Sequence, residues 1–317
     1  MQDLDGFNPY DDRTREAIGK HVDARIQNKW FENYEKNLPY IKRWGGIVKD
    51  GKPVVPLSKR FVVVGAGWPL WDGAYARSGK LGTEWTTLRV QGNLHYLKDV
   101  ECPIIVCDKI SSQAAMYCKP FAVTALNTGE TDVRDWLDKF EVTMNEQWGP
   151  EALEEVWMIV PVTINPEALE GWRGKIAFIN PQNTCDELCL LVQEETGIEP
   201  TARGDNVGYF SIVTAISLGA MEIAVIGMPL AYPTEEAVMK VTHGKHCVTL
   251  YDEVLRGYIY TTFDWLDSRR ELIELIGDFR DRFKVKVVNC TGAGILYQAN
   301  VIEPLPFSEW VKYARTR

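Results

Sequence analysis

Two kinds of residue in this chain suit chemistry at phosphate and hydroxyl groups. The first is a set of glycines at the ends of apolar runs. Gly65-Ala66-Gly67 follows Phe61-Val62-Val63-Val64, and Gly227 follows Ile223-Ala224-Val225-Ile226. A glycine turn lets the backbone bend sharply and come close to a ligand, or simply makes a tight structural turn. Gly204-Asp205-Asn206-Val207-Gly208 opens another apolar segment, and Asp205 or Asn206 suits a helix cap there. A helix start presents backbone N–H groups and partial positive charge to an anion. The second kind is titratable. His243 and His246 stand three apart in a polar stretch. An imidazole with an ordinary pKa of about 6.5 can take a proton from an acceptor hydroxyl. The same pair also reads as solvated loop histidines. Asp108, after Ile104-Ile105-Val106-Cys107, suits a ribose hydroxyl, Mg²⁺, or the cap of a following helix.

Other candidates follow the same placement. Asn127 succeeds the run Phe121 to Leu126, Asn289 succeeds Val285-Lys286-Val287-Val288, and Tyr232 closes the stretch after Gly227. Trp68 and Trp71 flank the glycine turn and are the tryptophans best placed to stack on a sugar; most of the others read as core. Cys185 and Cys189 share a helix face, but no second Cys or His pair lies nearby, so free thiols are expected rather than zinc. His21 and His95 have no such company.

The elements that must position these groups are strands and helices in alternation. Short β-branched runs without polar alternation suit strands buried on both faces. They are read over 61–64, 104–107, 121–126, 156–162, 176–180, 223–226 and 285–288. Helices are read over 12–35, 111–117, 132–140, 204–218 and 264–283. The pattern predicts an α/β, Rossmann-like, doubly wound and mostly parallel sheet. Residues 1–58 read as a helical leader, broken at Asn37 to Tyr40, and 59–317 as the nucleotide-binding domain. The leader is expected to pack on that domain or on a second subunit. Residues 234–252 read as a polar lid. In a parallel sheet the strand ends that carry the candidates line one edge, the usual place for ligands. Two stricter fingerprints are absent. Leu70 replaces the third glycine of G-x-G-x-x-G, and no Walker sequence occurs.

Composition narrows the function. The chain has 317 residues, 45% of them apolar, and a net charge of -9. That charge weighs against a broad nucleic-acid surface. No apolar run reaches membrane-spanning length, and the polar, acidic start is not a secretory signal. The expectation is a cytoplasmic protein without a membrane partner, its oligomeric state open.

The order of these motifs resembles the MptE-like 6-hydroxymethylpterin diphosphokinase family, which includes the central domain of the Maf motility accessory factors (flagellin glycosyltransferases). That family looks related to bacterial sialyltransferases with a Rossmann-like fold. The resemblance covers about residues 55–305. It rests on Val62 to Leu70, Ile104 to Asp108, Gly204 to Ser211, Ile226 to Tyr232, Thr242-His243 and Asn289 to Ile295. It implies a transferase with a nucleotide-activated donor. The reaction is then sugar transfer from a CMP-sugar to a hydroxyl, or Mg²⁺-dependent diphosphate transfer from ATP to a hydroxymethyl group such as a pterin's. By the resemblance, Gly65, Ala66 and Gly67 hold donor phosphates, Asp108 and Asn127 line the nucleotide, Tyr232 sits by the phosphate, and His243 is the base. Two departures matter. Trp68-Pro69 stands where the family has Pro-Ser, and Pro229 where it has Asp. Loss of that carboxylate weakens the diphosphokinase reading most, because Mg²⁺ prefers carboxylate oxygens, and it leaves a catalytically silent nucleotide-binding module as a third reading.

Overall fold

A computed structural model describes residues 24–49, 52–53, 58–67, 93–126, 133–182, 185–201, 206–232, 234–241, 247–252 and 257–315. Helix α1 (Ala24–Trp44) leads into a small hairpin, β1 (Val48–Lys49) and β2 (Lys52–Pro53). Then come β3 (Arg60–Val64), β4 (Ile104–Cys107), α2 (Ser111–Ala115), β5 (Ala122–Thr124), α3 (Val133–Trp148), β6 (Trp157–Pro161), β7 (Lys175–Pro181), α4 (Asp186–Thr196) and β8 (Pro200–Thr201). After α5 (Val207–Ser217) and β9 (Glu222–Ile226) come α6 (Glu235–Val241), β10 (Cys247–Asp252), β11 (Gly257–Thr262), α7 (Phe263–Phe283), β12 (Lys286–Asn289), β13 (Ile302–Pro304) and α8 (Phe307–Arg315).

Nine strands form one sheet in the order β13-β12-β9-β3-β4-β5-β6-β7-β8, with every pairing parallel. From β3 the chain fills the sheet outward to β8. It then returns through α5 and lays β9 on the other side of β3. The winding direction therefore reverses between β3 and β9, and in open α/β sheets the crevice at such a reversal is where ligands bind.

Both faces of the sheet are covered, which is why its strands lack polar alternation. Val62, Val64 and Val106 pack with Phe140 and Met144 of α3, Leu188 of α4 and Trp310 of α8. Phe61, Val63 and Ile105 pack with Phe210 and Ile212 of α5 and Leu272 and Ile276 of α7. Burial of each such side chain stabilises the fold by about 1.5–3 kcal/mol relative to exposure. At the amino-terminal end, Arg60 and Glu222 are register partners, and Arg60 Nε meets Glu222 Oε2 at 3.1 Å. Trp310 Nε1 donates to the other oxygen of Glu222 at 3.3 Å. This pairing fixes the register of the two strands whose far ends carry the candidate loops.

Some expectations need correction. The break at Asn37 to Tyr40 does not occur: α1 runs through Pro39 to Trp44. Proline forfeits only one helical N–H bond, and the helix is held from the side. Asn37 Nδ2 donates to the carbonyls of Val162 and Ile164, Asn33 Nδ2 to that of Thr163, and Tyr34 and Ile41 are buried in the core. The helix ends at Gly45, whose φ of +78° closes it. The described part of the leader thus packs on the sheet, with Gly46 bridging Phe178 of β7. Ile26 near its start is exposed. The polar stretch 234–252, read as a lid, has regular structure in its described parts. It supplies α6 and then β10, which pairs antiparallel with β11.

Candidate functional site

Three backbone segments meet at the carboxyl ends of β3 and β9. They are Gly65 to Gly67 after β3, Gly227 to Tyr232 after β9, and Asn206 to Gly208 at the start of α5. Together with Cys107 and Trp265 they line one cavity of about 170 Å³. Seven residues singled out from sequence, Gly65, Ala66, Gly67, Asn206, Gly208, Gly227 and Tyr232, are brought to this single place.

The helix side of the cavity suits an anion. Asn206 is the cap of α5, and its Oδ1 accepts from the Tyr209 N–H at 2.9 Å. Helix geometry leaves the first-turn N–H groups of Val207 and Gly208 without intrahelical partners, and the helix dipole adds partial positive charge there. Buried α5 is anchored by Ser211, whose hydroxyl donates to the Val207 carbonyl at 2.6 Å and lies 2.7 Å from Thr124 Oγ1.

The glycine side does a different job from the one expected. The Gly65 N–H donates to the Ile226 carbonyl and the Gly67 N–H to the Gly227 carbonyl, each at 2.8 Å. A Cβ on Gly65 would stand 2.5 Å from the Gly227 oxygen and 2.5 Å from Met228 Cγ. A Cβ on Gly67 would stand 2.6 Å from that same oxygen and overlap the Pro229 ring. These glycines therefore let two loops lie against each other, and their amides are spent on that contact. The same packing accounts for Pro229. Its ring packs on Gly67, its backbone lies against Gly294, and its carbonyl accepts from the Ile295 N–H at 2.8 Å.

The loop after β9 is held at nearly every residue. The Met228 N–H donates to Thr291 Oγ1 at 3.1 Å, and Thr261 Oγ1 donates to the Leu230 carbonyl at 2.7 Å. Tyr232 and Tyr260 exchange both backbone bonds. Gly227 and Leu230 have φ of +70° and +49°. The ring of Tyr232 stacks on Trp265 with centroids 5.3 Å apart.

Two sequence candidates lie apart from the cavity walls. Asn289 is buried, and its amide is used inside its own loop: Nδ2 donates to the Leu296 carbonyl and Oδ1 accepts from the Thr291 N–H. The stretch 289–294 buttresses the β9 loop. Asp108 follows Cys107 at the end of β4, and its Oδ1 accepts from the Lys109 N–H at 2.6 Å. It does not cap α2 through its side chain. Burial pushes its carboxyl above the ordinary value, against the opposing pull of the Lys109 N–H and ammonium. Among the described residues no group of three His, Cys, Asp or Glu side chains could hold a metal ion. Trp68, Asn127, Gly204, Asp205, His243 and His246 lie outside the described residues, as do Trp71 and His21.

Sequence reasoning missed Met228, Cys107 and Trp265 as wall residues. Trp265 had a usable signal, an aromatic at the start of a helix beyond the cavity loops. Burial pushes the Cys107 thiol up to about 12, so it is a wall residue without nucleophilic character. Two larger hollows of about 460 and 500 Å³ lie at the opposite edge of the sheet. They are lined by mixed Lys, Arg, Asp and Glu side chains, and no glycine loop or helix start converges on either.

Comparison with known proteins gives a fold relationship. No family model and no curated protein matches the chain. A solved structure does: that of the MAf glycosyltransferase from Magnetospirillum magneticum AMB-1, with a TM-score of 0.60. The two chains share the fold. The match covers 89% of this chain at 15% identity and 38% of the MAf chain, so this chain spans under two fifths of that protein's length. No helix among the described residues is long and apolar enough to cross a membrane.

Proposed function

We propose that this protein is a glycosyltransferase that takes a nucleotide-activated sugar, of the CMP-nonulosonate type, and delivers the sugar to a hydroxyl acceptor. The observation that carries the reading is the meeting of the α5 start with the loops of β3 and β9 at the point where the sheet reverses. Its fold likeness to a MAf glycosyltransferase supports the same class.

In this reading the first-turn amides of α5, at Val207 and Gly208, hold the donor phosphate. The clamped β9 loop gives that site a fixed wall, so little reorganisation is needed when charge develops on the leaving phosphate. Tyr232 and Trp265 supply an aromatic wall beside it. The described cavity has room for a phosphate and its neighbour, whereas a whole ligand pocket spans about 300–1,000 Å³. His243, with His246 beside it in sequence, is the proposed base for the acceptor hydroxyl.

Sugar transfer is preferred to diphosphate transfer because of Pro229. The position where the kinase family that the sequence resembles carries a carboxylate here holds a proline whose ring packs on Gly67. Phosphoryl transfer of that kind needs a metal and the oxygens to hold it. A thermal-shift panel of CMP, CDP, UDP and ATP, each with and without Mg²⁺, tests the choice. Stabilisation by CMP without metal is expected. Stabilisation by ATP only with Mg²⁺ would favour the kinase, and no response to any nucleotide would end the transferase reading. Nucleotide binding without sugar transfer, unchanged in His243→Ala, would mark a silent binding module.

A further inference from the structure

We propose that the β10–β11 hairpin carries an aromatic track that binds the acceptor as a neutral, hydroxyl-rich saccharide chain. The proposal rests on the transferase reading above and names the acceptor class for it.

The track follows from strand pairing. Directly opposed residues of an antiparallel pair project their side chains to the same face. Tyr251 opposes Tyr258, Thr249 opposes Tyr260, and Tyr260 in turn opposes Tyr232. Tyr232, Tyr260, Tyr258 and Tyr251 therefore share one face. At one end Tyr232 stacks on Trp265 in the cavity wall. At the other, Tyr251 and Tyr258 are 54% and 63% exposed, with ring centroids 5.7 Å apart. Tyr258 and Tyr260 are two residues apart along the strand, a spacing of about 6.8 Å. The rings run from the cavity outward in steps that suit successive sugar rings.

The opposite face does the structural work. Ile259 is buried there, Thr261 holds the Leu230 carbonyl, and Asp252 Oδ2 accepts from the Gly294 N–H. On the outer face Thr262, at the cavity end, is buried and its hydroxyl oxygen accepts from the Trp265 N–H as the cap of α7; the exposed rings of Tyr251 and Tyr258 beyond it are not needed to anchor the hairpin. The residues of this face are Cys247, Thr249, Tyr251, Tyr258, Tyr260 and Thr262, all uncharged, in a chain with 25% charged residues. Tyrosine offers a flat apolar ring and a hydroxyl edge, a match for saccharide C–H faces and hydroxyls. A single-stranded nucleic acid would also stack on rings but needs a basic groove beside them. A charged peptide would find no counter-charge among the described residues of this face.

The test uses the full chain, fluorescently labelled, on a printed oligosaccharide array. It is compared with the doubly substituted chains Tyr251→Ala/Tyr258→Ala and Tyr251→Phe/Tyr258→Phe. Wild type should be retained by at least one class of neutral glycan. The alanine pair should lose at least tenfold in retention and the phenylalanine pair should keep most of it, while stabilisation by CMP stays the same in all three. Absence of retained glycans, or equal retention by the alanine pair, overturns the proposal. So does a shift from dimer to monomer in the alanine pair on sedimentation, which would give the face to a second copy of the chain. Loss of the CMP response in wild type would instead sink the donor reading, and the array result would stand apart from it.

Discussion

Pro229 and Gly67 are packed so closely that a Cβ added at Gly67 would overlap the Pro229 ring and stand 2.6 Å from the Gly227 carbonyl oxygen. The contact ties the loop after β3 to the loop after β9 across the point where the sheet reverses. It explains one glycine and one proline together. It also makes Pro229 part of the packing of the cavity wall.

Gly67→Ala should therefore destabilise the fold, by about 1–3 kcal/mol, the usual cost of overpacking. Gly208→Ala should cost less than about 1 kcal/mol. A Cβ there meets the tip of Met228, which can swing, and alanine favours the helix. Urea denaturation of the two variants checks the order; an equal loss would show that the Pro229 contact is soft.

Asn37→Ala should destabilise by about 2–4 kcal/mol, since it leaves two buried carbonyls, those of Val162 and Ile164, without their donor. Chemical denaturation with circular dichroism at the helix band reads it. A change under about 0.5 kcal/mol would mean that α1 is not fastened through this amide.

Asp108→Asn should stabilise the protein at neutral pH. Burial raises the folded carboxyl above its unfolded value. The folded state then holds its proton more tightly, so stability falls as pH rises through the interval between the two values. Below the ordinary Asp value the variant and wild type should be equally stable, and above the raised value the variant should be ahead. Denaturation across pH 3–8 measures the difference; a gap that is constant with pH would contradict burial as the cause.

Cys107 and Cys118 should resist an aromatic disulfide reagent at about pH 8 in the native protein, because burial pushes each thiol up to about 12. In urea all seven cysteines should react. Early labelling of Cys107 would show that the cavity wall opens.

The sheet was legible because its strands are short β-branched runs buried on both sides, so Phe61 to Val64 and Ile223 to Ile226 announce themselves. The convergence at the cavity was legible too, since two walls begin where such a run ends and the third is a capped helix start. What was not legible depends on partners far away in the chain. Pro39 reads as a break unless the distant carbonyls of Val162 and Ile164 are known to hold Asn37. The β10–β11 hairpin hides in a polar stretch because only its inner face is buried, and Tyr232 is tied to it through Tyr260, 28 positions on in sequence. Gly65 and Gly67 advertise a close approach, but sequence does not say that the approaching group is the backbone at Gly227 rather than a ligand. The strand β13 is three residues long and ends in Pro304, too short to read, whereas α8 did carry a signal that was passed over, since Phe307, Trp310, Val311 and Ala314 have helical spacing.

The central claim is that a nucleotide phosphate sits at the start of α5. Asn206→Asp tests it most directly. Aspartate caps a helix as well as asparagine does and suits the dipole, so the fold should hold or gain slightly in stability. It also places a negative charge at the proposed phosphate site. Titration calorimetry with CMP, and with cytidine as the phosphate-free control, should show wild type binding CMP in preference. The variant should bind CMP at least tenfold more weakly while its melting temperature is unchanged or slightly raised. Equal CMP affinity in the two proteins, or no preference for CMP over cytidine in wild type, would contradict the account.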